Sequence, residues 1–125
     1  MVFIIGGSYQ GKEEYVLNRF SFAQTDIYVC TEAAEPDLCF PILSHIERFA
    51  LYAVKNDHEP TDFWRAHRDA LENKIIIADD ISCGIVPMDA ELRAWREASG
   101  RANLYLAREA ASVHRVFCGL GVQIK

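Results

Sequence analysis

The sequence predicts an α/β fold on a mainly parallel sheet, and three observations lead there. Short apolar runs alternate with segments of helical spacing, a glycine-rich turn joins the first run to the first helix, and Ile75-Ile76-Ile77 is apolar on both faces, as a central parallel strand is.

Taken in order, Val2 to Ile5 is a buried strand, central in the sheet, that feeds Gly6-Gly7-Ser8-Tyr9-Gln10-Gly11-Lys12, and Lys12 to Phe20 then has helical spacing. A Gly-x-x-x-x-Gly-Lys turn between strand and helix is the context of a phosphate-binding P-loop, which extends the expectation to a three-layer, P-loop NTPase-like fold. Glycines at positive φ let successive N–H groups converge on an anion, the helix N-terminus adds partial positive charge, and Lys12 neutralises outer phosphates. The candidate nucleotide-binding residues are Gly6, Gly7, Ser8, Tyr9, Gln10, Gly11, Lys12 and Glu13. Glu13 occupies the place where a P-loop carries the Ser or Thr that holds Mg²⁺, so a packed turn that binds nothing is the competing reading.

Asp26 to Thr31 is a second strand, completing a right-handed βαβ unit with the first. Glu32 to Pro41 is loop, and Ile42, Ile46, Phe49, Ala50 and Ala53 recur at helical spacing up to the turn Asn56 to Pro60. Thr61 or Asp62 caps a further helix ending at Asn73, and Lys74 to Ala78 is the third strand. Acids at the carboxyl end of such a strand face the crevice where α/β sheets bind ligands, so Asp79 and Asp80 are candidates to hold Mg²⁺ or to orient a hydroxyl; capping the following turn is the alternative. A long helix follows from about Asp89 to Ala111, with Leu92, Trp95, Ala98 or Ser99, Ala102 and Leu106 toward the sheet and Gly100 at a point of close packing. Val113 to Cys118 and Val122 to Ile124 are the last strands.

The length of 125 residues, half of them hydrophobic, suits one core, hence a single domain over residues 1–125. A net charge of −5 with dispersed Lys and Arg argues against a nucleic-acid partner. Cys30, Cys39, Cys83 and Cys118 form no C-x-x-C pair, and the sequence shows neither a signal peptide nor an apolar stretch of membrane-spanning length. The expectation is a cytoplasmic protein, not bound to membrane, whose cysteines are reduced and buried.

Gly84-Ile85-Val86-Pro87, Leu92, Gly100-Arg101-x-Asn103, Leu106-Ala107 and Gly119-x-Gly121-Val122-x-Ile124-Lys125 resemble, in order and spacing, the C-terminal half of the adenosylcobinamide kinase/adenosylcobinamide-phosphate guanylyltransferases of cobalamin biosynthesis. That family also opens on a strand and a Gly-Gly-x-x-x-Gly-Lys-Ser loop, which Gly6 to Lys12 matches up to the final residue. The resemblance implies a shortened member that transfers phosphoryl or guanylyl groups from GTP or ATP, with Mg²⁺, to a corrinoid (cobinamide) acceptor and assembles as a homo-oligomer. It also implies roles: Asp80 keeps the family's acid before Gly-Ile-Val-Pro, and His45 falls near the histidine nucleophile that takes GMP from GTP. The family's second, adjacent His is Ile46 here, and its additional acid-tipped strand has no counterpart. On residues alone His45 also reads as a helix-surface or core-edge histidine. A degenerate, non-catalytic relative that binds nucleotide or corrinoid, or partners a full-length enzyme, is the alternative expectation.

Overall fold

The computed structural model describes residues 1–82 and 89–125. Its strands are β1 (Val2–Gly6), β2 (Ile27–Val29), β3 (Ile42–Ser44), β4 (Ile75–Asp79), β5 (Ser112–Phe117) and β6 (Leu120–Gln123). Its α-helices are α1 (Lys12–Phe20), α2 (Ile46–Lys55), α3 (Pro60–Ala66) and α4 (Ala90–Glu109). The strands form one sheet in the order β2-β3-β4-β1-β5-β6, parallel throughout except that β6 turns back antiparallel to β5. This is the α/β, mainly parallel, P-loop NTPase-like arrangement that the sequence leads one to expect, with β1 central.

Alternation along the strands builds the three layers. Ile4, Ile42, Ile75, Ile77 and Val116 point to the face covered by Val16 and Phe20 of α1. Phe3, Leu43, Ile76, Ala78 and Val113 point to the other, where Phe49 of α2, Trp64 of α3 and Leu106 of α4 cover them. All five residues of β4 are buried, because helices lie over both of its faces.

The departures from the sequence reading have local causes. Ile42 to Ser44 is a strand rather than the start of a helix: Ile42 and Leu43 pair with Ile75 and Ile76, and His45, in the left-handed region at φ 56° and ψ 46°, breaks the chain before α2 begins. The 42/46 helical spacing is therefore a coincidence of one strand residue and one helix residue. β2 belongs to the sheet but is not β1's neighbour, since β3 and β4 stand between them. The third helix begins a residue earlier than its predicted caps, with Pro60 in the first turn, where a missing N–H costs nothing, and ends at Ala66 before a 3₁₀ turn at Arg68–Leu71. α4 is capped by Asp89, whose carboxylate accepts from the Leu92 N–H at 3.1 Å. Leu92 itself is exposed, and nothing lies within 4 Å of where a Cβ on Gly100 would sit, so neither packs as expected. Of the cysteines described, Cys30 is buried, its thiol pushed up to about 12 by that burial, whereas Cys39 and Cys118 are exposed. The Gly84-Ile85-Val86-Pro87 segment and Cys83 lie outside the described residues. Among the described residues no helix is long and apolar enough to cross a membrane.

Candidate functional site

The parallel pairing of β1 with β4 sets Gly6 beside Asp79, so the glycine-rich loop and the acid leave the sheet at the same edge. Gly6 is required by close approach: a Cβ there would stand 2.3 Å from the Val116 carbonyl oxygen. At the far end of the loop, Gly11 takes φ 82° to turn into α1. Gln10 ties the loop to the β5–β6 hairpin, its side-chain oxygen accepting from Cys118 N–H and its main-chain oxygen from Gly119 N–H, each at 2.7 Å. Tyr9 at the tip is fully exposed.

Lys12 folds back under this loop. Its ammonium donates to the Gly7 carbonyl at 2.6 Å and pairs with Asp79 at 2.6 Å, both side chains being nearly buried. The other Asp79 oxygen accepts from the Ser8 hydroxyl at 3.1 Å. Glu13, one residue into α1, faces β3 instead, where its carboxylate accepts from the Ser44 hydroxyl at 2.5 Å.

His45 joins the same cleft from the β3–α2 turn. Its Nδ1 lies 2.8 Å from a Glu47 oxygen and 3.8 Å from Asp79, and its Nε2 lies 3.8 Å from Glu13. The hydrogen bond to Glu47 raises the imidazole's pKa above its ordinary value, against the opposing effect of partial burial. Glu47, in the first turn of α2, is buried; its second oxygen accepts from the Asp79 N–H at 3.0 Å, and its carbonyl accepts from the Trp95 indole at 2.6 Å. Loop, β3–α2 turn and β4 thus enclose an open cleft of about 470 Å³, a size suited to a small ligand such as a nucleotide.

The cleft is rich in acid. Glu13, Glu14, Glu47 and Asp79 line it against the cations Lys12 and Arg48. The oxygens of Glu13 and Asp79 are hard donors of the kind Mg²⁺ takes. His45, Glu47 and Asp79 each also present a ligand atom within 4.8 Å of the others. The candidates named from sequence therefore divide: the residues from Ser8 to Glu13, together with His45 and Asp79, line one cleft, with Gly6 and Gly7 leading into it. Asp80 does not join them. Its N–H extends the β1 pairing by donating to the Gly6 carbonyl at 2.8 Å, and its carboxylate accepts from Ser82, beside a separate cavity that Asn103 of α4 also lines. Strand alternation explains the split, since adjacent residues at a strand end leave on opposite faces. Arg101, for its part, pairs with Glu59 at the head of α3 at 2.9 Å.

Ser44, Glu47, Arg48 and Trp95 are site residues that sequence reasoning missed. For Glu47 the spacing Ser44-His45-x-Glu47 is a usable signal only once β3 is recognised, because it is the strand that ends at the cleft. The family model described as cobinamide kinase / cobinamide phosphate guanyltransferase matches residues 44–124, more than half of the chain, beginning at Ser44 and taking in His45, Glu47 and Asp79. Comparison with curated proteins gives no match.

Proposed function

Because the chain belongs to the cobinamide kinase/cobinamide phosphate guanyltransferase family, we propose that it binds GTP or ATP at the Gly6–Lys12 loop and transfers a phosphoryl or guanylyl group to a cobinamide or its phosphate. The observation that carries this reading is the convergence of Lys12, His45 and Asp79 on one cleft at the carboxyl edge of the sheet, from three separate elements.

On this reading the loop amides and Lys12 take the phosphates, which requires the ammonium to leave Asp79 for the nucleotide. Asp79 is then the acid freed to face the phosphates, whereas Asp80, the acid that the sequence resemblance singled out, turns its carboxylate to the other cavity. Asp79 and Glu13 are the residues that would hold Mg²⁺, which would supply charge neutralisation in the phosphoryl-transfer transition state. His45 takes the guanylyl group, and the acceptor phosphate removes it. The family's homo-oligomeric assembly and a cytoplasmic location belong to the same proposal.

A second reading is favoured by Glu13. A carboxylate in place of the hydroxyl, in a cleft already rich in acid, opposes a triphosphate and suits a relative that binds nucleotide or corrinoid without turnover. Calorimetric titration with GTP, ATP and a cobinamide tests the shared premise. Saturable GTP or ATP binding, weakened at least about tenfold in Lys12→Ala, is the expected result, since a charge-assisted phosphate contact is worth about 1.5–3 kcal/mol. Equal affinity in wild type and Lys12→Ala would reduce the loop to a packed turn. Binding without transfer to the cobinamide would favour the second reading.

A further inference from the structure

We propose that Glu47 is a positioning residue for His45: it fixes the imidazole's tautomer, so that the free lone pair lies on Nε2. The proposal rests on the reading of His45 as the guanylyl acceptor and adds the device that would make it competent.

A carboxylate is acceptor-only, so a hydrogen bond from His45 Nδ1 to Glu47 at 2.8 Å requires the proton on Nδ1. In a neutral ring Nε2 is then the lone-pair nitrogen. The carboxylate cannot easily swing away. It is 6 % exposed, its other oxygen is claimed by the Asp79 N–H, and the backbone of Glu47 is pinned by the Trp95 indole. His45 is itself held in the left-handed region, a strained conformation for a residue with a Cβ, and such strain clusters where a side chain must be aimed. The other charged groups facing the ring do not substitute for Glu47. Asp79 lies 3.8 Å from Nδ1 and Glu13 lies 3.8 Å from Nε2, both beyond hydrogen-bond length, and Arg48 is a cation with no proton-accepting capacity.

In the reaction, Nε2 attacks the α-phosphorus of GTP and an N–P bond forms. The bond from that phosphorus to the α–β bridging oxygen breaks, and its electron pair leaves with pyrophosphate. The Nδ1 proton stays between His45 and Glu47, whose negative charge balances the ring while it carries the guanylyl group. When the acceptor phosphate oxygen attacks the same phosphorus, the N–P electron pair returns to Nε2.

The geometry also dictates the informative variant. Because the Asp79 N–H needs an acceptor, Glu47→Gln should turn its carbonyl there and present its NH₂ to His45 Nδ1. That donor moves the ring proton to Nε2. ¹⁵N NMR of the full chain, at a pH where the ring is neutral, is expected to show His45 protonated on Nδ1 in wild type and on Nε2 in Glu47→Gln. Labelling by [α-³²P]GTP should slow between about ten- and a hundredfold in that variant, with GTP affinity within about twofold, and recover in part in Glu47→Asp. The same tautomer and labelling rate in wild type and Glu47→Gln would overturn the proposal. Should wild type take up no label, the nucleophile reading falls by itself, and an Nε2-protonated wild-type ring would then overturn the role of Glu47 as well.

Discussion

Replacing Lys12 by Met removes one partner of an ion pair whose side chains are 6 % and 12 % exposed. At 2.6 Å and an effective dielectric of about 20 the gross attraction is about 6 kcal/mol, most of it offset by taking the two charges out of water. The variant loses the attraction but keeps the cost of burying Asp79, whose carboxylate retains, among the described residues, the Ser8 hydroxyl at 3.1 Å and the more distant imidazole. Losing one member of a buried pair costs roughly 3–5 kcal/mol, and the residual hydrogen bond places this case near 3. Removing both charges, in Lys12→Met/Asp79→Asn, leaves two groups of similar volume and no orphaned charge, so the double variant should lie within about 1 kcal/mol of wild type. Urea unfolding followed by far-UV circular dichroism, with all four proteins in one cycle, measures the coupling, expected to be at least about 2 kcal/mol. A coupling below about 0.5 kcal/mol, the value of an exposed pair, would refute the picture of a lysine stored against Asp79 until phosphate draws it away.

Gly6→Ala should destabilise by about 1–3 kcal/mol in the same assay, because the new methyl must displace the Val116 carbonyl, a backbone atom that cannot rotate aside. Gly100→Ala should do the reverse, gaining about 1 kcal/mol of helix propensity at an open position of α4; a loss there would mean that the position is packed. His114 is buried against α1, sharing a 2.8 Å hydrogen bond with Tyr15, and burial followed by nearby Arg19 holds its pKa below the ordinary value. Its neutral form is the one the fold prefers, so stability should fall as pH drops from about 6.5 through the lowered value, and this part of the profile should flatten in His114→Gln. His45, with its pKa raised, acts in the opposite sense: its contribution is complete below about 6.5 and fades as pH rises through the raised value.

Much of the sheet was legible because β1 and β4 are apolar runs long enough to signal themselves, and the glycine-rich loop announces its own turn. β3 was not, being three residues long and stabilised by pairing with β4 rather than by its own pattern. Missing β3 concealed half of the cleft, since Ser44, His45 and Glu47 reach it only because that strand ends beside β4. Asp79 and Asp80 look equivalent in sequence. Their difference is one of face, which depends on the register Gly6 to Asp79 and on the helices above and below. Glu13 reads as a defect of the loop when taken alone, and its hydrogen bond to Ser44 becomes visible only once β3 lies across from α1.

On the proposed function, Lys12 and His45 serve one nucleotide. Incubation of the full chain with [α-³²P]GTP and Mg²⁺ tests this most directly: acid-labile, alkali-stable label is expected on wild type, absent in His45→Ala and reduced at least about tenfold in Lys12→Ala at subsaturating GTP. Label that persists in His45→Ala, or no label on wild type under conditions where an active family member is labelled, would contradict it.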